Sequence, residues 1–287
     1  MTAKPLLLRS IVSILLLAPF AASPVRASTA DMQSDSLVKR ALASELRNAR
    51  DIRHPMRYRL RKASPRLTST KEIFETMDGA VARLVEINDR PLSQADEQKE
   101  QARLDGLLSD PSRQSHRKQA EEDDAARAIK VLRALPQAFI YRFVDVDTGP
   151  TGKLYKYNFW PNPDFDPPDL ETQVLKAMSG AIWIDPAQVR VARLEGHLTK
   201  DVNFGWGILG RLNKGGWIVI AQEDVGERQW RIVRFQMVMS GRVLFKSRTF
   251  DTVQEQSHFT PVPVGLTYAQ AIGMLRAGPP GSVSASR

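Results

Sequence analysis

The most suggestive spacing in this sequence is the run GWGILG at residues 205–210, which matches G-x-G-x-x-G. In dinucleotide-binding proteins such glycines follow a strand, open a helix and let the pyrophosphate approach the backbone. An acidic residue about 20 positions later binds the ribose. Here the apolar run WIVIAQED ends in Glu223 and Asp224, so the outline of an NAD site is present.

The same stretch lacks the helix that this chemistry requires. A crossover needs about 10–12 residues, but only residues 208–214 separate Gly207 from the Gly215-Gly216 pair. Gly210 and Asn213 within that segment are poor residues for a helix interior. The sequence therefore predicts glycines that let strands bend and pack closely, and it predicts no bound cofactor.

Other catalytic constellations are also missing from the sequence. The four histidines, His54, His116, His197 and His258, are far apart and have no metal-ligating partner at helical or strand spacing. There is no G-x-S-x-G nucleophile elbow and no cysteine. These absences predict that the chain is not an enzyme, with no catalytic residues and no metal site.

Composition and the N-terminus indicate an exported protein. Residues 1–27 combine a basic start, the apolar run SIVSILLLAPFAA and small residues before Ser28, as in a signal peptide. The apolar run is too short to span about 30 Å of hydrocarbon, and no later stretch is longer. We therefore expect a periplasmic or secreted protein with no transmembrane span in the mature chain. The formal charge is +9 with acids mixed among the bases, which argues against a nucleic-acid partner.

Local patterns divide the mature chain into strands and one charged helical block. Asp78-Gly79 lies between two strand-like runs and is a strong hairpin signal. Residues 93–135 change to a helical period, and Asp110-Pro111 divides them into two helices. Only the second helix shows a clear apolar stripe, through Ala125, Ile129 and Leu132. From Phe139 onward, short loops join strands, which predicts antiparallel meanders.

Apolar residues are more frequent on these strands than a sheet with one wet face requires. The candidate ligand-binding residues are the alternating side chains of WRIVRFQMVM and three nearby tryptophans, namely Val233, Phe235, Met237, Met239, Trp183, Trp206 and Trp217. They form either an ordinary core between sheet and helices or the lining of an apolar hollow in a curved sheet.

The stretch GAIWIDPAQVRVARLEG resembles the strand-turn-strand signature of the lipoprotein-carrier (LolA/LolB-like) superfamily. The runs YNFWPNPDFDPPDLETQVLKAMSGAIWID and LVEINDRPLSQADEQKEQARL resemble a branch of uncharacterised exported bacterial proteins related to it. The resemblance covers roughly residues 56–259, and its motif residues Trp183, Ile184 and Asp185 bear on fold. It implies a curved antiparallel half-barrel, helices on its concave side and an apolar cavity for acyl chains.

These observations predict an α+β protein: a strongly curved antiparallel sheet (half-barrel) with helices on the concave side, plus the charged helical insertion. Residues 1–27 are the signal peptide, 28–262 a single domain with the insertion at 93–135, and 263–287 a short helix with a disordered tail. The first functional hypothesis is binding of a lipid or a lipoprotein acyl chain. The second is a structural or interaction module that contacts an envelope protein through residues 93–135.

Overall fold

The computed structural model describes residues 29–49, 53–204, 210–243 and 246–277. The predicted signal peptide and residues 278–287 of the predicted tail lie outside this part of the chain. The helices are α1 Thr29–Asn48, α2 Gln94–Ser109, α3 Pro111–Ala138 and α4 Tyr268–Ala277, with a 3₁₀ turn at Thr172–Ala177. The strands are β1 Met56–Ala63, β2 Thr68–Phe74, β3 Val81–Ile87, β4 Arg90–Pro91, β5 Phe139–Gly149, β6 Gly152–Pro161, β7 Met178–Asp185, β8 Arg190–Leu198, β9 Val202–Phe204, β10 Gly210–Leu212, β11 Trp217–Asp224, β12 Trp230–Val243 and β13 Lys246–Pro261.

The strands form one antiparallel sheet in the order β4-β3-β2-β1-β13-β12-β11-β8-β7-β6-β5, and β10 joins β9 to β12. The sheet ends at β4 and β5 and is not closed into a barrel. Most neighbours are consecutive in sequence because short turns join antiparallel strands. There are two exceptions on this path: β1 lies beside β13, where the two ends of the domain meet, and β11 lies beside β8. The expected α+β class with a large open antiparallel sheet is confirmed.

Two hairpins follow directly from their turn residues. Strands β2 and β3 pair up to Phe74 and Val81, and Gly79 in the connection has φ 91°. Strands β5 and β6 pair up to Gly149 and Gly152, and Gly152 has φ 127°. Glycine is favoured at both turns because other residues rarely adopt this left-handed region. The hairpin predicted at Asp78-Gly79 is therefore confirmed.

The main core lies on one face of the sheet, which we call the helical face. Side chains from α1 and the end of α3 pack there against β5 to β8, and the core reaches β12 at Met239. Its fully buried members include Val38, Leu42 and Ile182. Side chains alternate along each strand, so the residues between them point to the opposite, outer face, where Trp183 and Trp217 lie.

A second core packs α2 and α4 against β2 and β3. Leu104 of α2 and Ile272 of α4 are both 0% exposed there, next to Phe74 and Val81. Phe74 pairs with Arg57, whereas Tyr58 and Ile73, the next pair along these strands, point to the other face. The strand registers therefore place Phe74 on the outer face. The two cores therefore lie on opposite faces, so α2 and α4 do not share the helical face. The short helix expected beyond residue 262 is α4.

Helices α2 and α3 divide at Asp110-Pro111 as predicted, but their apolar stripes differ from the prediction. Helix α2 buries Leu104 and Leu107, and it is not simply a solvated helix. Ala125 of α3 is exposed, whereas Ile129 and Leu132 are half-buried. In the sequence, charged neighbours obscure the apolar positions of α2. Two buried leucines are enough for this helix, because α4 and β3 supply other residues of the second core.

Charged residues of α2 also protect the exposed edge of β3. The Glu100 carboxylate accepts a hydrogen bond from the Leu84 backbone N–H at 2.8 Å, and Arg103 donates to the Ala82 carbonyl oxygen. Arg103 and Glu100 pair with each other at 2.6 Å. Unpaired strand edges tend to associate with other chains. The charges of this helix are therefore used to satisfy backbone groups that a neighbouring strand does not reach.

Candidate functional site

The strands on either side of the glycine run belong to the antiparallel sheet. Residues 205–209, including Trp206, lie outside the described residues. Strands β9 and β10 on either side pair antiparallel, with Phe204 opposite Gly210. After β10 the chain makes a turn and enters β11. A pyrophosphate site needs a helix N-terminus after the glycines, whereas the described residues from Gly210 to Asp224 form two strands and a turn.

We expect no saturable binding of NAD, NADP or ATP at millimolar concentrations. The physical reason is that a phosphate cradle needs a helix start after the glycines, whereas the chain continues from Gly210 into strands β10 and β11. Isothermal titration calorimetry of the purified protein checks this expectation. Saturable nucleotide binding that disappears in Gly207→Ala would show that the glycine run is a phosphate site after all.

The predicted ligand residues do not form one site, because the sheet separates them. Phe235, Met237 and Met239 lie on the helical face. Trp217 pairs with Val238, and therefore lies on the outer face. Trp183 pairs with Arg193, and Arg193 pairs with Ala221, which continues the outer face to Arg234. The predicted grouping of these tryptophans with the methionines is wrong, because a one-residue change in register reverses the face.

Val233 occupies a β-bulge. Ala221 pairs with Arg234 and Gln222 with Ile232, so Val233 is the extra residue. A bulge interrupts the alternation of side chains. The regular alternation that the sequence predicted from Val233 to Met239 therefore does not include Val233.

Trp183 is held by contacts within the protein. Its side chain is buried, and its Nε1–H donates to Asp147 Oδ2 at 2.6 Å. Lys156 Nζ and the Arg193 guanidinium lie 4.9 and 5.7 Å from the ring centroid, as in cation–π contacts. This tryptophan therefore stabilises the outer face and is not available as an apolar ligand surface.

Trp217 is half-buried at an open groove on the outer face. The groove has a volume of about 660 Å³ and runs across β6, β7, β8 and β11. Trp160 and Trp217 lie at its two sides, and Ser179, Glu195 and His197 are polar residues of its lining. Its open shape does not match the apolar hollow that the sequence predicted for Trp217.

On the helical face, a row of apolar side chains extends beyond the packed core. Ile218 and Met237 pair across β11 and β12, as do Ile220 and Phe235. We call these four residues the central strip. All four are half-buried, and among the described residues β11 and β13 contribute no buried side chain. Ile218 and Met237 touch the main core, so the strip is an extension of that core towards the middle of the sheet.

Helix α3 is held at both ends of this region but not in its middle. Near its start, Gln114 donates to the Asp78 carbonyl oxygen at 2.8 Å and Glu121 accepts from the Ala80 N–H at 2.9 Å. At its end, Leu135 and Ala138 are part of the main core. Residues 122–128 between these contacts are all exposed. The helix, about 40 Å long, thus crosses the helical face without packing tightly on the central strip.

The surroundings of Tyr58 indicate that the first half of α3 lies on the helical face. Its pKa is raised above the ordinary value, first because burial removes water and then because of the nearby charges of Glu75 and Glu121. Glu121 belongs to α3, whereas Tyr58 alternates with Arg57 and so points away from the second core. Its ring stacks on Phe259 at 5.4 Å. Two aromatic residues therefore lie on the helical face near the first half of α3.

Cationic residues lie on the helical face between the central strip and this end. Phe235 pairs with Gln254, and Gln254 pairs with Lys62. Lys71 of β2 pairs with Leu60, two residues from Lys62 on β1. Sequence reasoning missed Lys62 and Lys71, as it missed Ile218 and Ile220. The alternation in WIVIAQED was a usable signal for the two isoleucines, but no local pattern placed the lysines beside Phe235.

Comparison with known proteins gives one structural likeness. No family model matches the sequence, and no curated protein matches it. The fold is similar to the crystal structure described as an outer membrane lipoprotein-sorting protein domain from Vibrio parahaemolyticus. The identity is 10%, the match covers 78% of this chain and 93% of that chain, and the TM-score is 0.30. No residue role in this chain rests on that likeness.

None of the helices among the described residues is both long enough and apolar enough to cross a membrane. Within the same ranges, no three side chains from His, Asp and Glu come together as a group of metal ligands.

Proposed function

We propose that this protein is an exported, non-enzymatic binding protein of the bacterial envelope that holds an acyl chain on the central strip, below helix α3. The observation that carries the proposal is that Ile220 and Phe235 are only half-buried on the face that α3 crosses. The side chains of residues 122–128 in the middle of α3 are exposed. A packed core would bury such residues almost completely. Residues left between two packed ends can instead be covered by a ligand.

The chemistry of the strip supports an apolar, adaptable occupant. Isoleucine, phenylalanine and methionine line it, and methionine adjusts readily to ligands of different shape. Apolar pockets with a few polar groups at one end are the usual sites of small apolar ligands. The interaction of the carriers with lipoprotein acyl chains, implied by the sequence resemblance, belongs to the same chemical class.

The second functional hypothesis, an interaction module, has its own support in α3. Residues 121–124, EEDD, are exposed in the middle of this helix and offer an acidic surface to a basic envelope partner. The burial of Leu104 and Leu107 limits that surface to α3, because the apolar side of α2 is already occupied.

The test of acyl binding is Phe235→Ala. Truncating a fully buried phenylalanine destabilises a protein by about 3–5 kcal/mol, but half-buried Phe235 should lose less than about 2 kcal/mol. Binding of dansyl-labelled undecanoic acid, followed by its fluorescence, should weaken clearly because the side chain contacts the chain. Thermal unfolding and probe titration on wild type and variant check both expectations.

Phe74→Ala is the matched control, since Phe74 is 0% exposed in the second core. It should lose the full stability of a core phenylalanine, about 3–5 kcal/mol, and keep probe binding wherever the protein remains folded. Absence of probe binding in wild type, together with a large stability loss in Phe235→Ala, would reject the acyl-chain proposal and leave the interaction module.

A further inference from the structure

The helical face carries positive charge that its own acids do not neutralise. We call Lys62, Lys71 and Arg117 the cationic edge. Among the described residues, none of these three is within 4.0 Å of a carboxylate, and Lys62 and Lys71 are exposed. Arg103 lies nearby but is already paired with Glu100 at 2.6 Å. The two acids close to them, Glu100 and Glu121, also accept hydrogen bonds from the backbone N–H groups of Leu84 and Ala80.

Lys71 and Arg117 lie close to further positive charge. The pKa of Lys71 is lowered, first by desolvation and then by the charges of Arg103 and Arg117, although its side chain is exposed. The pKa of Arg117 is lowered by desolvation and then by Arg103. Like charges held together in this way favour binding of an anion.

The cationic edge lies at the right distance from the central strip to share one ligand with it. Lys62, Gln254 and Phe235 follow one another across β1, β13 and β12. Neighbouring strands are about 4.8 Å apart, so Lys62 lies about 10 Å from Phe235 along this row. Lys71 is a diagonal neighbour of Lys62, at about 7–8 Å in such sheets. A headgroup at the lysines would therefore direct its chain along the strip towards the main core.

From this juxtaposition we infer that the occupant is an anionic phospholipid, with its phosphate at Lys62, Lys71 and Arg117 and its acyl chain on Ile220 and Phe235. The inference rests on the proposed function and specifies its ligand. Charge complementarity decides the headgroup, since a zwitterionic headgroup would bring a second cation into a region that already has excess positive charge. A neutral headgroup would leave these cations unpaired.

The experiment compares three lipids that share a lauroyl chain and differ in the headgroup: lysophosphatidic acid, lysophosphatidylcholine and monoacylglycerol. Each is titrated calorimetrically below its critical micelle concentration. We expect lysophosphatidic acid to bind at least about tenfold more tightly than the other two, equivalent to one or two favourable ionic contacts. The preference should decrease as salt increases, because partly exposed charges are screened.

The double variant Lys62→Gln/Lys71→Gln should lower the affinity for lysophosphatidic acid about tenfold and leave the affinity for monoacylglycerol unchanged. Lys71→Arg keeps the charge and should keep the preference. Lys153→Gln is the control for net charge, since Lys153 is exposed at the β5–β6 turn. Equal binding of all three lipids to wild type would overturn the headgroup inference while acyl binding stands. No binding of any lipid would overturn both.

Discussion

Glu45→Ala should destabilise the protein by about 3–5 kcal/mol, because it leaves a buried arginine without its partner. Glu45 is on α1, and its carboxylate accepts two hydrogen bonds from Arg190 of β8, at 2.8 and 2.9 Å. It also accepts from the Val191 N–H at 3.0 Å and from Gln222 at 3.2 Å. Both side chains of the ion pair are about nine-tenths buried. The loss should lower the melting temperature by about 2–4 °C per kcal/mol.

The matched control is the exposed arginine–glutamate pair on the outer face. Arg193 and Glu195 are 2.6 Å apart, with side chains 45% and 40% exposed. Glu195→Ala should change stability by no more than about 1 kcal/mol, since water screens such pairs. The double variant Glu45→Leu/Arg190→Met should recover much of the loss, because apolar residues of similar volume can replace a buried ion pair. Equal melting temperatures for Glu45→Ala and Glu195→Ala would contradict this account of α1.

Gly180→Ala should be the most damaging of the small glycine substitutions in the sheet. A Cβ at this position would lie 1.8 Å from the Glu195 carbonyl oxygen and 2.9 Å from the Gly196 Cα, both backbone atoms of β8. Backbone cannot move aside without breaking the β7–β8 pairing that supports the main core. Overpacking usually destabilises by about 1–3 kcal/mol, and we expect a loss at or above the upper end. Denaturant unfolding measures it.

Gly196, which pairs directly with Gly180, provides the comparison. Its Cβ would meet Met178 Sδ at 2.9 Å and Cγ at 3.2 Å, and this flexible side chain can turn away. Gly196→Ala should therefore be clearly milder. Gly273→Ala in α4 meets no atom within 4 Å and should stabilise by about 0.5–1 kcal/mol, because alanine is the better helix former. If Gly180→Ala were as mild as Gly196→Ala, the close approach of β7 and β8 would be refuted.

The sequence alone determined those features that depend on neighbouring residues. The Asp78-Gly79 hairpin, the break at Asp110-Pro111 and the antiparallel meander after Phe139 each follow from turn residues and short loops. These predictions were confirmed because backbone preferences act over a few residues. A short stretch of sequence therefore contains the necessary information.

The tertiary structure decided which side chains share a surface. Trp183 and Trp217 lie on the opposite face from Phe235 and Met237, since strand register depends on pairing partners and a shift of one residue reverses every side chain. The bulge at Val233, the pairing of β1 with β13 and the second core below α4 likewise bring together residues that are distant in sequence. Lys62 reaches the row of Phe235 only through that β1–β13 pairing. The periodicity of a single strand has no information about its neighbour, and therefore the candidate site became visible only when the sheet was assembled.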